Sequence, residues 1–530
     1  MNLSRRNFLK LGASSAAASL AYHSWPRVVN AQSGVRSYHV CAAPQVLETN
    51  PELLDVFVGS GVGHVWMAAF FYGYWPVEPE VIAKWIRRVE DKGLAPHVIN
   101  IPLGHPGDSL GSPDDSVALA PPSHWRMAAR PDGSTYSGTS LHPPATEENV
   151  AAMKRIAPLR VDRVFLDDDF RLAVGPGVIG GCYCDDHRDA FLTKYGYAAE
   201  RWPELLDDVN ARRLSPLLRS WVEFTCDQLT ACFRAQQQAA PEVELGNMIM
   251  YFGAEKAGIR LSDYADSPFR VGELMFNDAS FAPVKGKTNE LYSCLFHRRY
   301  AKPELAFSET TAFPADQLSA PNMAAKLAVT TIADVRNTMY MSGITPFPVS
   351  HWYTLAPAMK KHAVIHERLA GHKPAGPFKH YWGEASRTIG DDKPYSLFLA
   401  TGVPFEVVDQ PGADGWTFLS EWEARDVAEG KLKSPGTTFI ARETPASNDA
   451  LRAIPEELPA LFDFKRSIAD HLRDIPHVLE DEPVVCAWYP TANALLLWNL
   501  SEARKELTVA VSEQRRTVAL DALDVMLVNL

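Results

Sequence analysis

Short apolar runs alternate with amphipathic segments over positions 37–374 of the chain. The apolar runs are typical of buried parallel strands, and the segments between them carry apolar residues three or four positions apart, as helices do. The predicted strands are 37–42, 64–71, 95–101, 163–166, 244–250, 274–276, 305–307 and 345–349. The predicted helices include 79–92, 147–156, 215–239 and 322–341. This repeat predicts an α/β fold, a (β/α)8 TIM barrel over residues 35–375.

The pattern changes twice after the barrel. Residues 376–480 contain short strand–helix units, which predict a small open α/β domain of the flavodoxin-like kind. Residues 481–530 alternate apolar and polar positions, which predicts a short C-terminal antiparallel β domain. No glycine-rich phosphate loop occurs in 376–480, so nucleotide binding is not predicted.

The N-terminus predicts export. Residues 4–10 read Ser-Arg-Arg-Asn-Phe-Leu-Lys, a short apolar run follows, and Val-Asn-Ala occupies 29–31. This is the pattern of a twin-arginine signal peptide over 1–31, and it predicts a periplasmic or secreted protein. The apolar run is too short to span a bilayer, so no membrane insertion is expected. A formal net charge of -12 argues against nucleic acid as a partner. Seven scattered cysteines do not indicate a disulfide framework.

Acidic residues follow two of the predicted strands. Asp167, Asp168 and Asp169 come directly after strand 163–166, at the end of a barrel that holds catalytic groups. Their mutual repulsion can raise the pKa of one carboxyl, as a proton donor to a sugar oxygen requires. Glu309 follows strand 305–307, whose end faces that of the fourth strand across the barrel. The pattern predicts a glycosidase that cleaves an oligosaccharide or polysaccharide with Asp169 as acid/base and Glu309 as nucleophile or base. The alternatives are an acidic turn at 167–169 and a helix-capping role for Glu309.

These residues resemble the family 42 β-galactosidases of glycoside hydrolase clan A. That family carries an Asp-Asn-Glu triplet after strand four, whose Glu is the acid/base, and a nucleophile Glu after strand seven. The resemblance places Asp168 at the triplet's Asn, Asp169 at its Glu and Glu309 at the nucleophile. Segment 182–187, Cys-Tyr-Cys-Asp-Asp-His, is similar to the family's Cys-Tyr-Cys-x-x-Cys. The resemblance implies a β-galactoside-like substrate and a homotrimer. Asp169 is one methylene shorter than Glu, which leaves retaining and inverting mechanisms open.

Cys182, Cys184 and His187 have a spacing compatible with a structural zinc site. In some relatives the matching cysteines bind zinc. No fourth ligand lies nearby in the sequence, so a pair of buried thiols beside a surface histidine is the alternative. No organic cofactor is predicted.

The predicted substrate contacts are polar and aromatic residues at strand ends: Asp168, Arg171, Trp75, Asn277, His351 and Trp352. Trp352 is the preferred platform for a sugar ring because it follows the predicted eighth strand, beside that of Glu309. Arg171 would orient the substrate or, alternatively, pair with Asp167 or Asp169.

Two other functions fit the same residues. The three aspartates could bind a divalent cation in a metal-assisted carbohydrate lyase or hydrolase, whose activity a chelator would abolish. The chain could also be a non-catalytic exported glycan-binding protein, since the Asn-Glu pair of the resembling family is replaced.

Overall fold

A computed structural model describes residues 35–103, 122–136, 141–167, 170–173, 175, 177–249, 252, 254–271, 275–341, 346–443 and 451–530. The predicted signal peptide, residues 1–31, lies outside the described residues, as do Asp168 and Asp169.

Eight parallel strands close into a barrel, which confirms the predicted fold class. The strands up to residue 341 are β1 (Ser37–Cys41), β2 (His64–Phe71), β3 (Ala95–Ile101), β4 (Ala128–Ala129), β5 (Thr135–Tyr136), β6 (Arg163–Leu166), β7 (Glu244–Ile249), β8 (Phe269–Val271), β9 (Ala306–Thr311) and β10 (Asn337–Met341). β4 and β5 pair only with each other, and the barrel order is β1-β10-β9-β8-β7-β6-β3-β2. β6 and β9 are thus the fourth and seventh barrel strands.

Helices connect and surround the barrel strands. They are Pro44–Thr49, Leu53–Ser60, Pro79–Asp91, Ala145–Ile156, Asp185–Tyr195, Arg201–Ala211, Pro216–Ala239, Asp278–Phe281, Val284–His297, Ala320–Ile332 and His351–Leu369. Several begin with proline in the first turn, where its missing N–H costs nothing. None of the helices in the described part of the chain has the length and apolar character to cross a bilayer.

Two barrel strands lie earlier in the chain than predicted. The sixth is Phe269–Val271 rather than 274–276, because the buried Arg270 interrupts its apolar pattern. The eighth is Asn337–Met341 rather than 345–349, and it falls inside the predicted helix 322–341. That helix ends at Ile332, and Asp334 then adopts a left-handed backbone with φ 52°, which no helix continues through.

A five-stranded parallel sheet follows the barrel. Its strands are β11 (Phe378–Tyr381), β12 (Phe405–Val408), β13 (Trp416–Leu419), β14 (Thr438–Ala441) and β15 (Leu451–Ala453), with helices Glu384–Ile389, Glu421–Ala428 and Leu458–Ser467. The order β12-β11-β13-β14-β15 is that of flavodoxin-like folds, which bind ligands where the strand order reverses, here between β11 and β13. The carboxylate of Glu423 accepts hydrogen bonds there from the backbone N–H groups of Gly383 (3.1 Å) and Ser386 (3.0 Å).

The last part of the chain forms two antiparallel sheets. Their strands are β16 (His477–Val478), β17 (Val484–Tyr489), β18 (Ala494–Asn499), β19 (Lys505–Val511), β20 (Gln514–Leu520) and β21 (Val525–Asn529), in the orders β16-β19-β20 and β17-β18-β21. Apolar side chains from both sheets pack into one core. This confirms the antiparallel C-terminal fold.

Side chains inside the barrel form layers, because alternate residues of a strand point to the same side. The middle layer is apolar and consists of Trp66, Ile99, Phe165, Phe307 and Met339. Two residues further along their strands, at the carboxyl end, come Asp167 and Glu309. Two residues earlier, at the amino end, come the predominantly polar side chains of His64, His97, Arg163, Leu305 and Asn337. The apolar layer therefore separates two polar regions of one barrel.

Candidate active site

Glu309 lies within β9, two residues after Phe307 of the apolar layer, and is buried. The hydroxyl of Thr311 donates a hydrogen bond of 2.8 Å to its Oε1. Because β9 extends beyond the predicted 305–307, Glu309 is held by the strand itself rather than by the loop that follows. A strand fixes a carboxylate more firmly than a loop does.

Asp167 occupies the corresponding position after β6 and is also buried. Its backbone N–H donates to the carbonyl of Asn100 (2.8 Å), so the third strand holds it in line with the barrel wall. Asp167 and Glu309 therefore enter the barrel on the same side of the apolar layer. Asp168 and Asp169 are the next two residues of the chain.

Arg270 of β8 connects Asp167 and Glu309. Its Nη2 forms an ion pair with Oδ1 of Asp167 and lies 4.0 Å from Oε1 of Glu309. The guanidinium is fully buried and lies over the ring of Phe165, 5.9 Å from its centre. Arg270 is not among the site residues predicted from the sequence. The available signal was one charged residue between two apolar ones, Phe269 and Val271.

The thiol of Cys41 faces the same charges. Burial raises its pKa strongly, and the charges of Arg270, Asp167 and Glu309 all act on it. A thiol held in the neutral form is a poor nucleophile. Cys41 is therefore part of the wall of this site and not a reactive group.

Several predicted substrate contacts have other partners in the structure. Trp352 is 1% exposed, and its ring packs against Phe57, Tyr340 and Phe347 at 5.1–5.5 Å between ring centres. The buried ring of Trp352 is therefore not an exposed platform for a sugar. Trp352 does not follow the eighth strand directly, because that strand ends at Met341, ten residues before His351.

His351 and Asn277 are likewise engaged. The Nε2 of His351 bonds the carbonyl of Leu318 (2.9 Å). The side-chain oxygen of Asn277 accepts from the backbone N–H of Ser280 (3.0 Å) and so caps the helix Asp278–Phe281. Both residues are thus used by the local structure.

Trp75 and Arg171 remain near the carboxyl end of the barrel. Trp75 is half-buried, with the guanidinium of Arg155 4.6 Å from its ring centre, and it packs on Phe70. Arg171 is 4% exposed and is separated from the acidic segment in the sequence by Phe170 alone.

The fold of nearly the whole chain matches solved β-galactosidases. The enzyme from Rahnella sp. R3 has a TM-score of 0.57 at 11% identity, over 94% of this chain and 98% of that chain. The enzyme from Bacillus circulans sp. alkalophilus has a TM-score of 0.57 at 9% identity, over 93% and 98%. A catalytic mutant of a family 42 β-galactosidase from G. stearothermophilus has a TM-score of 0.55 at 11% identity, over 94% and 98%. No protein-family model and no curated protein matches the sequence. The likeness establishes the fold.

The predicted zinc ligands gain a fourth member. Cys182, Cys184 and His187 meet His142, and one ligand atom from each lies within 4.8 Å of the others. Nε2 of His142 is 3.7 Å from Sγ of Cys182 and 3.3 Å from Sγ of Cys184, and Nδ1 of His187 is 3.2 Å from Sγ of Cys184. His142 precedes the helix Ala145–Ile156, forty residues before Cys182, so no local spacing pattern could indicate it.

A second group of ligand-type residues lies at the amino end of the barrel. His39, His64 and His97 have ring nitrogens within 4.8 Å of one another. The indole N–H of Trp66 donates to Nδ1 of His39 (3.1 Å), so the proton of His39 is on Nε2, 2.8 Å from the hydroxyl of Ser37. Nδ1 of His64 and Nε2 of His97 are 3.0 Å apart. These contacts already use both nitrogens of His39, and they make the group a hydrogen-bond network.

Proposed function

We propose that this protein is a glycoside hydrolase that acts at the carboxyl end of its barrel with Glu309 and Asp169. The supporting observation is that acids of the fourth and seventh strands enter one layer, where Asp167 and Glu309 both approach Arg270. Asp169 comes two residues after Asp167 in the sequence. Two carboxyl groups across a glycosidic bond are the machinery of this reaction class.

Asp169 gives a proton to the leaving sugar oxygen in this proposal. Glu309 attacks the anomeric carbon if the enzyme retains configuration, or activates a water if it inverts. The separation of the two carboxyl groups decides between these, about 5 Å for retention and roughly 6.5–9.5 Å for inversion. Asp168 and Arg171 orient the substrate.

The substrate class in this proposal is a β-galactoside or a related glycan, on the basis of the resemblance and the names of the structural neighbours. The signal-like residues 1–31 support twin-arginine export to the periplasm or beyond. The homotrimer implied by the resemblance stays a prediction.

The test is hydrolysis of a panel of aryl glycosides by the purified protein, with product anomers followed by NMR. Glu309→Gln removes the reacting carboxylate while keeping the shape of the side chain, and it should abolish turnover. Glu244→Gln is the matched control, because Glu244 begins β7 at the opposite end of the barrel and pairs with Arg163. Glu244→Gln should keep its activity.

Three other experimental outcomes would contradict this proposal. Full activity in Glu309→Gln would overturn the assignment of Glu309. Loss of activity in a chelator while the zinc of His142, Cys182, Cys184 and His187 is retained would favour the metal-assisted reaction, although Asp167 already faces a guanidinium. Binding of glycans without turnover by the wild type would favour the glycan-binding protein.

A zinc ion held by His142, Cys182, Cys184 and His187 is the second part of the proposal. With zinc–sulfur bonds of about 2.3 Å and zinc–nitrogen bonds of about 2.0–2.1 Å, sulfur and nitrogen ligands of a tetrahedral site lie about 3.5 Å apart. The observed 3.2–3.7 Å fits this requirement. Two thiols and two imidazoles are a common structural donor set. The ion would tie the start of helix Asp185–Tyr195 to the loop before helix Ala145–Ile156.

A further inference from the structure

Three charged side chains from three separate barrel strands meet in one buried layer. Arg270 comes from β8, Asp167 follows β6, and Glu309 lies in β9. All three side chains are at least nine-tenths buried, so water screens their charges little. Arg270 is thus one cation that faces two carboxylates. The buried carboxylate of Glu290, which pairs with Lys326 at 2.5 Å, also acts on Glu309.

The two carboxylates lie at different distances from the guanidinium of Arg270. Asp167 is in direct contact with Nη2 of Arg270, whereas Oε1 of Glu309 is 4.0 Å from the same nitrogen. Direct contact with Asp167 offsets most of the charge of Arg270. Glu309 therefore experiences a cation that stabilises its ionised form but does not fully neutralise it.

We infer that Arg270 is a positioning residue that keeps Glu309 ionised, with Asp167 as the counter-ion that prevents Arg270 from pairing fully with Glu309. This inference rests on the proposed function, in which Glu309 must be deprotonated to attack or to act as a base. The transition state of glycoside hydrolysis builds positive charge on the sugar ring. A buried layer in which two carboxylates face one guanidinium is complementary to that positive charge.

The shape of the guanidinium suits Arg270 to this role. Arg270 has a planar fork that can address two carboxylates at once, and sulfur atoms of Met339 (3.7 Å) and Met341 (3.8 Å) lie beside its Nη1. A lysine ammonium is a point charge on a flexible stem and cannot hold both distances. Arg270→Lys should therefore restore only part of the effect.

Two variants should move the pH profile in opposite directions. A unit charge at 4.0 Å, at an effective dielectric constant of about 20, corresponds to about three pKa units. Arg270→Met should shift the acid limb of kcat/KM upward by as much as about three units, because Glu309 then protonates more readily. Asp167→Asn should shift it downward, because Arg270 is then free to pair with Glu309. If the ion pair were purely structural, both variants would lose stability, but the acid limb of kcat/KM would not shift in opposite directions.

The control is Arg163→Met. Arg163 lies on the other side of the apolar layer, over the ring of Phe307, and pairs with Glu244. Its removal should leave the acid limb unchanged. Arg270→Lys, which keeps a buried cation, provides a folded variant if Arg270→Met does not fold.

The ionisation of Glu309 is also measured without turnover, by isotope-edited infrared titration of the carboxylate band assigned with Glu309→Gln. If the wild type hydrolyses nothing, this titration still tests Arg270. Opposite shifts in the Arg270 and Asp167 variants support the inference. Active variants whose Glu309 titration moves by less than about half a unit would overturn it, while the proposed function would stand.

Discussion

The ion pair of Lys256 and Asp392 should be essential for joining the barrel to the five-stranded sheet. Lys256 lies in a short 3-10 helix after β7, and its Nζ donates to the carbonyl of Gly390 (2.7 Å) and to Oδ1 of Asp392 (2.6 Å). The Lys256 side chain is fully buried and that of Asp392 is 4% exposed. Oδ2 of Asp392 has no hydrogen-bond partner among the described residues.

The substitution Lys256→Met leaves a buried carboxylate without its cation. Removing one partner of such a pair costs about 3–5 kcal/mol, because the remaining charge is uncompensated. Replacing both partners by apolar groups of similar volume removes that penalty and is often close to neutral. Lys256→Met with Asp392→Leu should therefore be more stable than Lys256→Met alone.

The assay is urea unfolding of the single variants and the double variant. Lys393→Met is the control, since Lys393 pairs with Asp391 at 3.7 Å and is 78% exposed, and it should change the free energy of unfolding by less than about 0.5 kcal/mol. A cost below about 1 kcal/mol for Lys256→Met, or a double variant as unstable as the single one, would refute the reasoning.

Two further predictions concern the histidines. Purified protein should contain about one zinc per chain by mass spectrometry, and His142→Ala should lose it during dialysis against a chelator that the wild type withstands; zinc retained equally by both would contradict the assignment. Burial and the nearby Arg163 lower the pKa of His64 to about 4. Between this value and the ordinary histidine pKa of about 6.5, His64 binds a proton in the unfolded chain but not in the folded chain. Stability should therefore fall as pH drops from about 6.5 toward 4, and His64→Gln should lose less of its thermal stability over that range. An equal loss in both proteins would show that His64 does not contribute.

The barrel and its two acidic strand ends were predictable because they depend on local patterns. A run such as Val164–Leu166 followed by acids indicates a barrel strand and a strand end whatever the rest of the chain does. The flavodoxin-like and antiparallel parts followed from the same kind of periodicity.

The remaining site residues depend on contacts between distant segments. Arg270 reaches Asp167 across 103 positions of the chain, and His142 joins Cys182 across 40. Neither has a neighbour in sequence that indicates its partner. Trp352 was misplaced for a different reason, since the helix-like spacing of residues 322–341 concealed the turn at Asp334 and displaced the eighth strand.

An apolar layer inside the barrel separates Glu309 at the carboxyl end from the histidine network at the amino end. It consists of Trp66, Ile99, Phe165, Phe307 and Met339. The five side chains of this layer include no carboxylate or imidazole that could relay a proton, so Glu309 is expected to exchange protons through the carboxyl end of the barrel. The histidine network at the other end can therefore gain or lose protons without changing the supply of protons to the carboxylates. Substitutions at one end should act on stability and at the other end on chemistry, with effects that add independently.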